Sequence, residues 1–158
     1  MSKITLRKVI ADEIEELSSL AHQIWRECFP GMISDEQIEY MLEKFQSVKA
    51  ITEQMQNGYD YYFLIYEGET AGYTGIREYS DEVFLSKIYV IDRFRGKGIA
   101  SEAVSKIVEI GKPITLTVNR GNFRAINAYE KMGFVKVSEQ KTDIGSGFIM
   151  DDYVMQLG

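Results

Sequence analysis

Two cations and two glycines alternate in a short segment, and together they could bind phosphate. Residues 95–100 read Arg-Gly-Lys-Gly-Ile-Ala, after the strand-like run Val83–Val90 and before a helical pattern. Glycine lets a backbone approach a ligand closely, and the unpaired N–H groups at a helix start attract phosphate. The sequence therefore predicts a diphosphate site here, with Arg95 and Lys97 as supporting cations.

Two common phosphate-binding loops do not fit the spacing. A Walker loop needs Ser or Thr after its lysine, whereas Gly98 follows Lys97. A dinucleotide fingerprint needs a glycine where Ser101 stands and an acidic residue about 20 positions on, where residues 117–120 are Thr, Val, Asn and Arg. Neither interpretation is retained.

A second segment combines a helical pattern with a tyrosine. Residues 122–134 read Asn-Phe-Arg-Ala-Ile-Asn-Ala-Tyr-Glu-Lys-Met-Gly-Phe. The apolar positions fit a short helix that Asn122 caps, and Gly133 suits its left-handed end before a strand. The pattern predicts a helix that carries Tyr129.

The two segments together resemble the paired motifs of the GNAT superfamily of N-acetyltransferases. Arg-x-x-Gly-x-Ala and Asn-x-x-Ala-x-x-x-Tyr-Glu-x-x-Gly-Phe lie about as far apart as in that family, and the close resemblance spans residues 84–136. The family's usual proline is missing from residues 91–94. The stretch from residues 22–26 through Ser34 to Met41 and Leu42 is similar to the bacterial polyamine acetyltransferase branch.

The resemblance implies an acetyl-CoA-dependent N-acetyltransferase. It would transfer an acetyl group to a primary amine, with polyamines as one acceptor class, by direct attack in a ternary complex. Two alternatives stay open, namely a protein N-terminal acetyltransferase and a non-catalytic sensor of acyl-CoA. The resemblance further implies acetyl-CoA as cosubstrate, no metal, a small-molecule amine as partner, and a homodimer as one assembly state.

The same resemblance assigns roles to individual residues. Tyr129 would be the general acid that protonates the leaving thiolate, although a core tyrosine is the other interpretation. Asn122 would contact the cofactor or serve only as a helix cap. Backbone groups of three strand residues would pair with the pantetheine arm, and the turn would hold the diphosphate. The cofactor-binding set is Ile88, Tyr89, Val90, Arg95, Gly96, Lys97, Gly98, Ile99, Ala100 and Asn122.

No general base is assigned from the sequence. Glu78, Asp81 and Glu82 lie near a predicted strand turn where the family sometimes places a carboxylate, but surface charge is the favoured interpretation of each. His22 and Cys28 are separated by about 120° around one predicted helix, so they do not form a dyad. Cys28 is expected to be a small core residue.

The elements that must position these residues follow the order β-α-α-α-β-β-β-α-β-α-β-β. Helices are predicted over 12–28, from a cap at Ser34 and from a cap at Ser47, and Pro30 with Gly31 should end the first. Residues 61–66, 70–79 and 82–90 predict an antiparallel meander. The fold class is α/β, and the resemblance implies the GNAT fold: a mixed, mostly antiparallel central sheet splayed between strands 4 and 5 and flanked by helices.

Composition and net charge limit the number of domains, the classes of partner and the location that we expect. With 158 residues, 45% of them hydrophobic, we expect one domain over residues 1–158. A net charge of −6 argues against nucleic acid as a partner. The absence of a long apolar run argues against a membrane, and one cysteine agrees with a cytoplasmic location. Glu36, Glu39 and Glu43 form a stripe that is more typical of a solvated helix face than of a polycation site.

Overall fold

Seven strands and five α-helices make up the part of the chain that the computed structural model describes, residues 4–28 and 34–158. The strands are β1 (Ile4–Lys8), β2 (Tyr59–Tyr66), β3 (Glu69–Glu78), β4 (Val83–Val90), β5 (Ile114–Asn119), β6 (Val135–Gly145) and β7 (Phe148–Leu157). The helices are α1 (Ile14–Cys28), α2 (Asp35–Phe45), α3 (Val48–Gln56), α4 (Ile99–Val108) and α5 (Phe123–Met132), with 3₁₀ turns at Ala11–Glu13 and Asp92–Phe94. The order of strands and α-helices is the one predicted.

The strands form one sheet in the order β1-β2-β3-β4-β5-β7-β6. All neighbouring pairs are antiparallel except β4 and β5, which are parallel because α4 returns the chain between them. The β4–β5 ladder holds only two residue pairs, Val83 with Ile114 and Phe84 with Thr115. Beyond these pairs the two strands diverge. The predicted splay of a mixed sheet is therefore confirmed.

Helix starts follow the capping residues that the sequence predicts. The side chain of Ser34 accepts from the amide of Gln37 at 3.1 Å, and Ser47 accepts from Ala50 at 3.1 Å. The side-chain amide of Gln37 donates to the Ile149 carbonyl at 3.3 Å and so joins the start of α2 to β7. The predicted stop at Pro30 and Gly31 lies outside the described residues, and so does the side chain of Cys28.

The core lies between the sheet and the helices that cover it. Leu17, Ala21 and Ile24 lie on one face of α1 and are fully buried. Each buried Leu or Ile contributes roughly 2 kcal/mol to holding α1 on the sheet. A second cluster lies under α1 and α2 and consists of Trp25, Ile38, Met41, Leu42 and Ile144, with Tyr89 and Met150 packed against it.

Within residues 4–28 and 34–158, no helix is both long enough and apolar enough to cross a membrane.

Candidate active site

A cleft of about 1310 Å³ lies where β4 and β5 diverge. One part of its wall is the glycine turn and the start of α4, and another is α5. The rest comes from side chains under α1 and α2 and from β7. Nine of the ten residues predicted to bind the cofactor border it, together with Tyr129. The nine are Ile88, Tyr89, Val90, Arg95, Gly96, Gly98, Ile99, Ala100 and Asn122.

The glycine turn delivers backbone N–H groups to this cleft. Gly96 and Gly98 have φ values of 81° and 75°, in the left-handed region that favours glycine. Gly98 is the N-cap of α4, and no side chain caps the helix. The first-turn amides of Ile99 and Ala100 therefore have no acceptor within the helix, and the positive end of the helix dipole lies there. This arrangement suits an anion.

The two cations of the turn are placed differently. Arg95 borders the cleft, and its guanidinium bonds the Asp92 carboxylate at 2.8 Å. Lys97 does not border the cleft, because its ammonium lies 6.0 Å from the centre of the Tyr66 ring. Arg95 is thus the one of the two predicted cations that reaches the candidate site.

The exposed edge of β4 forms the opposite part of the wall. Tyr89 and Ile88 pair with Tyr73 and Thr74 of β3, but no residue of β4 after Phe84 pairs with β5. Backbone groups on the β5 side of this stretch therefore face the gap. The cleft offers an extended ligand the edge of a strand.

Tyr129 lies on α5 with its ring edge-on to Phe134 at a centroid distance of 5.6 Å. Burial raises the pKa of the Tyr129 phenol above its ordinary value, so the hydroxyl stays protonated at neutral pH. Within residues 4–28 and 34–158, no protein group forms a hydrogen bond with this hydroxyl. The phenol is therefore a proton donor that borders the cleft.

Asn122 occupies a position that fits both of its predicted roles. Its side-chain oxygen accepts from the amide of Ala125 at 3.2 Å, so it caps α5, and the residue also borders the cleft. Gly133 ends α5 with φ of 107°, as predicted. The cap therefore fixes the start of the helix that carries Tyr129.

The three carboxylates weighed as general bases lie away from the cleft. Glu78 pairs with Lys112 at 2.7 Å, and Glu82 accepts from the hydroxyl of Thr115 at 2.8 Å. Neither borders the cleft, and nor does Asp81. Their positions agree with the favoured interpretation as surface charge.

A buried lysine on β4 was missed by the sequence reasoning. The ammonium of Lys87 donates to the Phe45 carbonyl at 3.1 Å, to the Gln54 side-chain oxygen at 2.9 Å and to the Tyr61 hydroxyl. Burial lowers the pKa of Lys87 to about 7. Because Tyr61 belongs to β2, the ammonium is directed away from β5 and β7. Lys87 ties β4 to the junction of α2 and α3.

A buried carboxylate on β7 was also missed. Asp152 is 3% exposed and borders the cleft, and burial together with the charge of Asp151 raises the pKa of Asp152 to about 6. The sequence does carry a signal, since Asp151 and Asp152 are adjacent inside an apolar strand. Alternation along a strand directs one of the two inward. The structure shows that the inward residue is Asp152, and this follows from the register of β7 against β5.

A comparison of the sequence with models of known protein families identifies the family of this chain. The model of the acetyltransferase (GNAT) family matches residues 19–134, which is most of the chain. The chain belongs to the GNAT acetyltransferase family. This GNAT acetyltransferase therefore uses acetyl-CoA as its cosubstrate. Among the described residues, no group of three or more His, Cys, Asp or Glu is placed to hold a metal ion.

Individual relatives extend this similarity over the whole length of the GNAT chain. A spermidine N(1)-acetyltransferase of Thermoplasma acidophilum is 28% identical, and the match covers 94% of this chain and 96% of that protein. The crystal structure of a PaiA N-acetyltransferase from T. acidophilum in complex with coenzyme A has a TM-score of 0.75 at 22% identity, covering 99% and 98% of the two chains. A GCN5-related N-acetyltransferase from Rhodopseudomonas palustris has a TM-score of 0.78 at 16% identity, covering 99% and 96%.

Proposed function

We propose that this chain transfers the acetyl group of acetyl-CoA to the primary amine of a small molecule, with polyamines such as spermidine as the first acceptor class. The observation that carries the proposal is one continuous cleft that reaches from the glycine turn, past the β4–β5 gap, to the side chains under α1 and α2. Donor and acceptor can be held there together, so direct attack in a ternary complex is sufficient. The similarity to a spermidine N(1)-acetyltransferase supports the acceptor class.

The donor would be held mainly by backbone groups. The amides of the turn, from Gly96 to Ala100, suit a diphosphate, and the side of β4 from Ile88 to Val90 that faces the gap suits an amide-containing arm. Arg95 adds positive charge beside the turn. Bound acetyl-CoA supplies the thioester that the amine attacks.

Tyr129 would protonate the leaving sulfur. When the amine nitrogen bonds to the carbonyl carbon, the carbon–sulfur bond breaks and a thiolate remains. The Tyr129 hydroxyl donates its proton to that thiolate, and the proton that the attacking nitrogen loses is carried through water to the phenolate. Burial keeps the phenol protonated, which is the state that a general acid needs.

A panel of amines tests the proposal. The purified chain is given acetyl-CoA with polyamines, aminoglycosides, amino acids or peptides in turn, and thiol release is followed. We expect turnover with polyamines. Turnover of peptides alone would point instead to a protein N-terminal acetyltransferase, and binding of acetyl-CoA with no turnover of any amine would favour the sensor alternative and contradict the proposal.

A further inference from the structure

Asp152 is a buried carboxylate that has no cation partner among residues 4–28 and 34–158. Of the acidic residues within 4–28 and 34–158, it is the one that is buried. No ion pair or hydrogen bond joins its carboxylate to another residue in this part of the chain. A buried charge without a partner is unfavourable, so such a group is a candidate for binding a ligand of opposite charge.

The strand register explains why Arg120, which binds the adjacent Asp151, does not reach Asp152. Arg120 bonds the Asp151 carboxylate at 3.2 Å and the Glu139 carboxylate at 3.2 Å. Successive side chains of β7 point to opposite faces, so Asp152 lies on the face of the sheet that Arg120 does not occupy. The guanidinium of Arg120 therefore lies with Asp151 on the opposite face of the sheet from Asp152.

Lys87, the one Lys or Arg that is buried within residues 4–28 and 34–158, has its ammonium directed elsewhere. The ammonium of Lys87 is held by Phe45, Gln54 and Tyr61, on the β2 side of the sheet. Asp152 lies on β7, on the far side of β5 from β4. Lys87, Arg95, Arg124 and Lys131 also border the cleft, but within residues 4–28 and 34–158 none of them forms an ion pair with Asp152.

The surroundings of Asp152 indicate what kind of cation would fit. Met150 shares its face of β7 and packs against the cluster under α1 and α2 that contains Trp25 and Met41. Met150, Trp25, Met41 and Asp152 all border the cleft. An ammonium on an apolar carbon chain matches a carboxylate beside an apolar wall.

We propose that Asp152 binds an ammonium group of the acceptor other than the reacting amine, and so determines the specificity of this acetyltransferase for acceptors that carry a second cation. The inference rests on the proposed function, because it assigns the acceptor end of the same cleft. It makes Asp152 a binding residue whose loss weakens the affinity for the acceptor and leaves the donor site intact.

Steady-state kinetics of Asp152→Asn test the inference, with spermidine as the acceptor. Asn keeps the size and removes the charge, and Asp151→Asn on the opposite face is the matched control. We expect KM for spermidine to rise at least about tenfold in Asp152→Asn while KM for acetyl-CoA stays within about twofold. Asp151→Asn should leave both KM values near those of the unaltered protein.

Two results separate the inference from the function on which it rests. If the unaltered protein acetylates spermidine and Asp152→Asn shows the same KM for it, the inference is overturned and the proposed function stands. If the unaltered protein acetylates no amine, the proposed function fails and takes the inference with it. Calorimetric titration of spermidine into each variant with coenzyme A present gives a second readout, in which weaker binding by Asp152→Asn alone supports the inference and equal binding overturns it.

Discussion

Replacing Asp152 by Asn should make the protein more stable at neutral pH while it weakens acceptor binding. Burial raises the pKa of this carboxyl from 3.8 to about 6. Each pKa unit corresponds to about 1.4 kcal/mol, so ionised Asp152 lowers the free energy of unfolding by about 3 kcal/mol at pH 7. Asn is neutral and of the same size, and it removes this cost.

The stability that Asp152→Asn gains should depend on pH. Between about pH 4 and pH 6 the folded protein retains a proton that the unfolded chain has lost, so stability falls as the pH rises through this window. The free energy of unfolding of Asp152→Asn should therefore exceed that of the unaltered protein by an amount that grows from about pH 4 to pH 6 and stays constant above pH 6. Near pH 4 the two proteins should be almost equally stable.

Urea denaturation of the two proteins across this pH range measures the difference. Asp151→Asn is the control. It loses the exposed ion pair with Arg120, so its free energy of unfolding should fall, by less than about 1 kcal/mol. If Asp152→Asn proved less stable than the unaltered protein at pH 7, or if the difference did not change with pH, the carboxylate would have a partner of its own and the reasoning would be refuted.

Four further substitutions test the roles of Tyr129, the glycine turn and Lys87. Tyr129→Phe should lower kcat about 100-fold and leave acetyl-CoA affinity unchanged; equal kcat would exclude the phenol as acid. Gly98→Ala and Gly111→Ala impose the same left-handed strain in open space, so each should lose about 1–2 kcal/mol in thermal melts, but only Gly98→Ala should weaken coenzyme A binding in calorimetry. Lys87→Met removes an ammonium whose pKa burial lowers to about 7, so in urea its stability relative to the unaltered protein should fall by roughly 3 kcal/mol as the pH rises from 7 to 10; a difference that does not change with pH would contradict the burial of this ammonium.

Much of the fold follows from local patterns in the chain. The caps at Ser34, Ser47 and Asn122 and the left-handed end at Gly133 are formed by the residues that the sequence indicates, because capping depends on side chains within three positions. Strand alternation similarly predicts the meander. The splay between β4 and β5 came from the family resemblance, which the two-pair ladder confirms.

The parts that the sequence did not predict depend on long-range geometry. Lys87 is buried because α2, α3 and β2 each bring an acceptor to it, and these lie 26 to 42 residues away in the chain. The inward direction of Asp152 depends on its register with Asn119 and Gln140. The ammonium of Lys97 lies near the ring of Tyr66 and outside the cleft, and no sequence motif predicts this contact.

The glycine turn as the diphosphate site is the claim on which the functional account depends most, and an amide-resolved NMR titration with coenzyme A tests it most directly. The account predicts that the amide signals of Gly96, Gly98 and Ala100 shift together and saturate with the ligand. The signals of Gly111 and Gly147, which lie in left-handed turns outside the cleft, should remain in place. Saturable binding that moves other amides and leaves the turn unchanged would contradict the account.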